Sequence, residues 1–116
     1  MDHYKLVLPE YNNHYGYLFG GHLLNWIDEF AYITATVSYP GRRFVTVAME
    51  NVEFKLAIQT GEVLLFRVEL DSLGKTSLTY KVTVYGVAVQ SKPEEVLFST
   101  TLTFVNVDED GNKVPI

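Results

Sequence analysis

The apolar positions of this chain recur with a helical period in one segment and with a strand-like pattern in most of the rest. Between residues 21 and 38, Leu24, Ile27 and Ala31 lie on one broad apolar arc of a helix, and Glu29 lies on the opposite, polar arc. An apolar arc this wide predicts a helix that other structure surrounds. Alternation and β-branched residues predict strands at residues 4–8, 44–56, 62–73, 76–90 and 95–107, with turns at 72–75, 91–94 and 108–112.

One long helix followed by four long antiparallel strands has few ways to bury its apolar surface. We expect an α+β fold in which a curved, antiparallel, five-stranded sheet wraps one long central helix, with residues 1–116 forming a single domain. Strands of this length leave an exposed edge, which two copies would remove by pairing edge to edge. The pattern therefore predicts a dimer at minimum.

Composition and charge narrow the classes of function. Hydrophobic residues make up 47% of the chain, which indicates a globular protein, and no apolar run reaches the roughly 18–20 residues that span a membrane. The chain contains no cysteine, which excludes disulfides, thiolate metal ligands and a cysteine nucleophile. Its start lacks the pattern of a signal peptide, so a cytoplasmic protein without a membrane partner is expected. The net charge of −5 argues against a nucleic-acid partner.

The segment from Asn13 to Glu29 carries the candidate chemistry. Gly20 and Gly21 lead into the predicted helix, where unpaired backbone N–H groups can hold an anion or a polarised carbonyl. Asp28, about two turns further along, can take or give a proton there. Together these groups suggest a site for acyl transfer. Simpler roles stay open, namely a structural carboxylate for Asp28, an Asx-turn for Asn13 and a solvated side chain for Glu29.

The order of residues in this segment is that of a known family. The motif Asn-x-x-Gly-x-x-Phe-Gly-Gly, then x-Leu-Leu-x-Trp-x-Asp, is filled by residues 13–28, and further matches lie at residues 45–47, 74–77 and 104–111. Over nearly its whole length the chain resembles the hotdog-fold acyl-CoA thioesterases, in particular the hexameric bacterial and the cytosolic animal acyl-CoA hydrolases. The resemblance implies the hotdog fold, hydrolysis of acyl-CoA to a free acid and CoA, and a trimer of dimers.

The resemblance also implies a catalytic site shared across a dimer interface. Asn13 of one subunit and Asp28 of the other would face the same thioester, and backbone N–H groups near Gly21 would polarise its carbonyl. Asp28 would act on water as a general base, the route we favour, or would attack the carbonyl itself as a nucleophile. No metal and no resident cofactor are expected, and CoA enters only as part of the substrate.

The remaining candidate residues would bind the substrate, with the acyl chain along the helix and the CoA moiety at a polar turn beside a cation. The expected substrate-binding residues are Gly20, Leu24, Ala31, Val47, Gly74, Lys75, Thr76, Ser77 and Arg43. Lys75 stands where the family more often has arginine, which keeps the charge but loses the planar fork that binds phosphate. Arg42 and Lys113 are weaker phosphate candidates. A plain hairpin turn with a solvated lysine is the alternative for residues 74–77.

Two other functions stay open. A hotdog enoyl-thioester hydratase or dehydratase needs a histidine and an acid presented together, and His14 lies in the appropriate loop. A non-catalytic module would bind acyl-CoA as a sensor, although such regulators generally carry a DNA-binding segment for which 116 residues leave no room. Release of free CoA thiol separates hydrolysis from hydration, because hydration leaves the thioester intact.

Overall fold

The computed structural model describes residues 1–87 and 95–116, and its elements follow the predicted order. They are β1 (Asp2–Leu6), a short 3₁₀ helix (Pro9–Tyr11), α1 (Gly20–Ser38), β2 (Phe44–Phe54), β3 (Val63–Leu73), β4 (Ser77–Gly86) and β5 (Val96–Asn106). The predicted helix is confirmed, and it begins one residue earlier than expected. β4 ends before the predicted residue 90. Residues 88–90 of that prediction, and the turn predicted at 91–94, lie outside the described residues.

The strands form a single five-stranded sheet in the order β1-β3-β4-β5-β2, and each neighbouring pair is antiparallel. α1 packs against one face of this sheet. Leu23 and Ile27 of the helix and Phe66, Phe98 and Phe104 of the sheet are almost completely buried in the core between them. The predicted α+β arrangement of one helix on a five-stranded antiparallel sheet is therefore confirmed.

The face of α1 that points away from the sheet is less enclosed than the sequence predicted. Trp26 is buried, and Tyr11 of the 3₁₀ helix packs edge-on against its ring with 4.9 Å between centroids. Near the end of the helix, however, Tyr32 and Ile33 are exposed, and Val37 is 61% exposed. A sheet layer covers only one side of a helix, so the helix packs on the sheet as predicted while its last turns keep some apolar surface exposed. Within the described ranges, no helix is long and apolar enough to cross a membrane.

β2 forms one edge of the sheet, and it is a long, exposed edge of the kind that the sequence predicted. Among the described strands it pairs only with β5, and Val45, Val47 and Val52 remain exposed along it. Two β-bulges interrupt the pairing, the second of them between Glu50 and Glu53. A bulge inserts one residue into a strand, so the side chains that follow exchange faces. The bulges therefore decide which β2 side chains face the helix.

Candidate active site

The side chain of Asn13 folds the loop that precedes α1. Its Oδ1 accepts hydrogen bonds from the backbone N–H of Tyr15 at 2.9 Å and of Tyr17 at 3.4 Å. Gly16 continues the same turn with a φ of 89°, a conformation that residues with a Cβ rarely adopt. The structural role considered for Asn13, an Asx-turn, is therefore present. Its amide nitrogen Nδ2 has no acceptor in the described part of the chain, so one donor group remains for a ligand.

α1 begins at two glycines whose backbone lies close to aromatic rings. A Cβ at Gly20 would stand 3.0 Å from Cζ of Phe54, and a Cβ at Gly21 would stand 2.7 Å from Cε1 of Phe19. A larger residue at either position would have to displace a ring. The N-cap residue Phe19 provides no side-chain hydrogen bond to the first turn. Among the described residues, nothing accepts from the N–H groups of Gly20 and Gly21, which leaves them for an anion or a polarised carbonyl.

Asp28 lies about two turns further along α1 and faces β2. The hydroxyl of Thr46 donates a hydrogen bond to Oδ1 of Asp28 at 2.6 Å. Asn25, Glu29 and Tyr32 line an open cavity of about 390 Å³ together with these two residues. A hydrogen bond to a charged carboxylate is short and strong, and it fixes the orientation of the group. Asp28 is therefore an oriented carboxylate at a cavity rather than a mobile surface charge.

A single chain does not bring the three catalytic candidates together. Asn13 and Gly20 line a cavity of about 320 Å³, whereas Asp28 lines a separate one. Gly21 and Asp28 lie on the same helix, and the rise of about 1.5 Å per residue separates them by about 10 Å. Proton transfer needs a separation of about 3 Å, directly or through one water. Asp28 is therefore too far along the helix to act on a carbonyl held at its own helix start.

Residues predicted to bind CoA meet at Asn106, the last residue of β5. Its Oδ1 accepts a hydrogen bond from the backbone N–H of Arg43 at 3.0 Å, and its own N–H donates to the carbonyl of Thr76 at 2.9 Å. The N–H of Ile116 donates to the carbonyl of Lys75 at 3.0 Å. Asn106 therefore links Arg43 and the turn of residues 74–77, which lie on the two sides of β5. Neither Arg43 nor Lys75 forms an ion pair with another residue that the structure describes.

That turn is a tight connection between β3 and β4. The N–H of Gly74 donates to the carbonyl of Ser77 at 2.9 Å, and a Cβ at Gly74 would stand 2.6 Å from Oγ of Ser77. This is the plain hairpin geometry considered as the alternative, and it leaves Lys75 exposed. The turn geometry is compatible with both roles, so contact with the CoA phosphates stays a prediction.

The other predicted substrate contacts do not line the cavity that contains Asn13. Leu24 is half-buried against the core, Ala31 is completely buried within it, and Val47 is exposed on β2. Ala31 therefore offers no surface to an acyl chain in a single chain, and the contacts of Leu24 and Val47 stay predictions. The ring of His14 packs on Tyr15 with 3.9 Å between centroids. It has no hydrogen bond to a carboxylate of the described chain, so one chain does not form the histidine–acid pair of a dehydratase.

Two residues that organise the site were not singled out in the sequence. Thr46 orients Asp28 through a hydrogen bond. In the sequence, the only sign of this role is that a hydroxyl residue stands between Val45 and Val47, in a segment that matches the family. Asn106 is buried and joins two loops through hydrogen bonds. Its signal in the sequence was an amide between Val105 and Val107, since a buried amide needs hydrogen-bond partners.

The chain belongs to the thioesterase superfamily, because residues 15–87, more than half of the chain, match the model of that family. Protein VdlD of Helicobacter pylori is 31% identical over 111 residues, which cover 96% of this chain and 63% of VdlD. YkhA of Bacillus subtilis, named as an uncharacterized acyl-CoA thioester hydrolase, is 30% identical over 110 residues, which cover 95% of this chain and 63% of YkhA. The chain thus spans about 63% of the length of these relatives.

Solved structures contain the same arrangement of helix and sheet. An acyl-CoA hydrolase from Staphylococcus aureus, in complex with butyryl-CoA and CoA, has a TM-score of 0.88 and 30% identity, with 99% of this chain and 70% of that chain covered. A hexameric hotdog-fold thioesterase of Campylobacter jejuni has a TM-score of 0.83 and 31% identity, with 97% of this chain and 86% of that chain covered. The fold of this chain is therefore the hotdog fold, as the resemblance implied.

Proposed function

We propose that this protein hydrolyses acyl-CoA to a free carboxylic acid and CoA. The observation that carries the proposal is the oriented carboxylate of Asp28, which accepts a hydrogen bond of 2.6 Å from Thr46 on the edge strand β2. Membership of the thioesterase superfamily supports the same class of reaction. Because the chain spans about 63% of its first relatives, the activity is proposed for the protein that contains this domain.

The proposed site is shared by two copies of the chain that pair along β2. Antiparallel pairing of the two β2 edges would satisfy their unpaired backbone groups and join the two sheets into one. A two-fold axis perpendicular to the joined sheet keeps both α1 helices on the same face and makes them run in opposite directions. Asp28 of one copy would then face Asn13 and the helix start of the other. This arrangement removes the separation of about 10 Å that exists within one chain.

The chemistry would be divided between the two copies. Asn13 Nδ2 and the N–H of Gly21 donate to the carbonyl oxygen, where each fixed donor is worth roughly 3–4 kcal/mol as negative charge develops. Asp28 of the other copy takes a proton from the water that attacks the carbonyl carbon. The tetrahedral intermediate then expels the CoA thiolate, which receives the proton from Asp28. Direct attack by Asp28, through an anhydride, is the second route. Neither route uses a resident cofactor.

The CoA moiety is proposed to bind where Asn106 joins Arg43 to the turn of residues 74–77. Arg43 and Lys75 would contact the phosphates, and the N–H and hydroxyl groups of the turn would contact the pantetheine. The hydrogen bonds of Asn106 to both loops support this placement. A trimer of dimers is proposed as well, because the Campylobacter jejuni neighbour is described as hexameric. Cytoplasmic location stays a prediction.

Release of CoA thiol from a panel of acyl-CoA thioesters, from acetyl to palmitoyl, tests the proposal. The purified protein is expected to release thiol from several of them. Consumption of an enoyl-CoA without release of thiol would support the hydratase alternative instead. Tight binding of acyl-CoA without turnover would support the non-catalytic module. If the protein releases thiol from no member of the panel, the proposal is contradicted.

A further inference from the structure

Phe54 is the last residue of β2, and its ring lies at the start of α1. A Cβ at Gly20 would stand only 3.0 Å from Cζ of Phe54. The ring also packs edge-on against Phe98, with 4.8 Å between centroids. Phe54 nevertheless remains 57% exposed. Phe54 therefore lies outside the buried core and lines a cavity.

The cavity beside Phe54 combines polar and apolar lining residues. Asn13, Tyr17, Gly20 and Lys55 line it, and the thioester carbonyl is proposed to bind beside Asn13 and Gly20. Its apolar lining comes from Leu18, Leu23, Phe54, Leu56, Ala57 and Ile58. An acyl chain is apolar and is attached to the carbonyl that Asn13 would contact, so a chain bound there would extend along this apolar lining. The cavity has a volume of about 320 Å³.

The second bulge of β2 places Phe54 at this cavity. Between Glu50 and Glu53, β2 contains one residue more than its partner strand β5. Asn51 accommodates the extra residue with a φ of 56°, and the hydroxyl of Thr100 donates to the carbonyl of Glu50 at 2.7 Å. Without the bulge, alternation along the strand would place Glu53 on the helix-facing side in place of Phe54. The bulge therefore puts an aromatic ring, instead of a carboxylate, beside the helix start.

We propose that Phe54 limits the length of the acyl chain that the site accepts, and that residues 56–58 contact the far end of the chain. This inference rests on the proposed thioesterase function and adds the substrate feature that the function leaves open. It places the acyl chain at the start of α1, whereas the sequence suggested a path along the helix near Leu24 and Ala31. With the ring of Phe54 against Gly20, the wild type prefers short to medium chains.

The test measures kcat/KM for thiol release across saturated acyl-CoA thioesters from acetyl to palmitoyl. Phe54→Ala enlarges the cavity and is expected to raise the ratio of long-chain to short-chain kcat/KM by at least roughly 10-fold, the lower limit for one methylene in an apolar pocket. Phe54→Trp fills the cavity and is expected to shift the preference towards shorter chains. Tyr4→Ala is the matched control, because Tyr4 is an exposed aromatic residue on the other edge strand, β1. Its chain-length profile is expected to match the wild type.

Opposite shifts in the two Phe54 variants support the inference. Equal losses for all chain lengths would indicate a structural role for Phe54 and overturn it, as would a profile unchanged in both variants. If Phe54→Ala does not fold, Phe54→Leu makes a smaller enlargement with the same expected direction. A wild type that releases no thiol from any thioester overturns the proposed function itself. That outcome differs from failure of the inference alone, in which the wild type is active and its preference does not depend on Phe54.

Discussion

At the scale of single residues, the site depends on how Asp28 is held. Its Oδ1 accepts the hydroxyl hydrogen of Thr46 at 2.6 Å, and Oδ2 has no hydrogen-bond donor among the residues that the structure describes. One oxygen therefore fixes the carboxylate, and the other can meet water in the adjoining cavity. A general base needs both properties, since proton transfer depends on geometry before it depends on acidity.

Replacement of Asp28 by asparagine tests the proposed base directly. Asp28→Asn keeps the shape and the acceptor for Thr46 but removes the group that takes the proton. We expect kcat for thiol release to fall by at least ~10²-fold, the lower range for positioned proton transfer, with an unchanged circular dichroism spectrum. Glu69→Gln is the matched control, because Glu69 is an exposed carboxylate on β3 and does not line the cavity that contains Asp28. Near-normal turnover in Asp28→Asn would remove Asp28 from the mechanism.

Thr46 is predicted to act as a positioning residue through its hydroxyl. Thr46→Val conserves the shape of the side chain and removes the hydrogen bond to Asp28. A hydrogen bond to a charged group is worth about 1.5–3 kcal/mol, so kcat is expected to fall roughly 10- to 100-fold while KM changes little. Thr46→Ser retains the donor and should restore most of the rate. Equal activities in the valine and serine variants would show that the hydroxyl does not position the base.

The catalytic candidates could be named from the sequence, whereas their supporting residues could not. Asn13 and Asp28 stand in a local motif of fixed spacing, which is visible without a structure. Thr46 lies on another element, and its contact with Asp28 depends on the register and bulges of β2. A bulge changes which face a side chain occupies without leaving a clear signal in the pattern of apolar residues.

At the scale of elements, the periodicity of apolar residues predicted the helix and the strands. It did not predict which surfaces are covered, because tertiary contacts determine that. The helix and the strands follow from their apolar periods, and their order is confirmed. The exposure of Val37 was not predicted, because the apolar arc shows that a face needs covering but not what covers it. In a single chain the sheet covers one side of α1. The apolar surface left exposed at the end of the helix agrees with a second copy as the missing cover.

The contact between β1 and α1 is predicted to weaken in mild acid. His3 of β1 stacks on Phe30 of α1, and its Nε2 lies 2.9 Å from Oγ1 of Thr34. Burial lowers the pKa of His3 below its ordinary value. As the pH falls below about 6.5, the unfolded chain therefore binds the proton before the folded protein does. The free energy of unfolding is expected to decrease until the pH passes the pKa of the folded protein.

Denaturation in urea at a fixed protein concentration, between about pH 7.5 and 5.5, measures this effect. His3→Gln retains an N–H donor for Thr34 but cannot take up a proton, so its stability should depend less on pH than that of the wild type. Asp2 does not interfere in this range, because its hydrogen bond with Arg67 lowers the pKa of the carboxyl and moves its contribution to more acidic solution. The same slope in wild type and variant would exclude His3 as the cause.

At the scale of the whole molecule, the three catalytic candidates do not meet in one chain. The donor groups of Asn13 and Gly21 lie at the start of α1 and in the loop before it. The carboxylate of Asp28 lies about two turns further along this rigid helix. No side-chain rotation closes a gap of about 10 Å along a helix. From the sequence, only the family resemblance indicated that two subunits share the site. The pattern of apolar residues could predict a long exposed edge strand. It could not predict which residues of two copies would meet if their β2 strands paired.

Mixing two inactive variants tests the shared site. Asn13→Ala and Asp28→Ala should each abolish most thiol release, since each removes one half of every site. In a mixed dimer, one site receives Asn13 from one subunit and Asp28 from the other and is intact, and the second site lacks both. Random pairing makes about half of the dimers mixed, with one intact site in two, so roughly one quarter of the wild-type activity should return. Dissociation and reassociation of the subunits, with mixed dimers verified by mass spectrometry, provides the measurement. No recovery in verified mixed dimers would place both groups in the same subunit, and the two-fold arrangement along β2 would then be wrong.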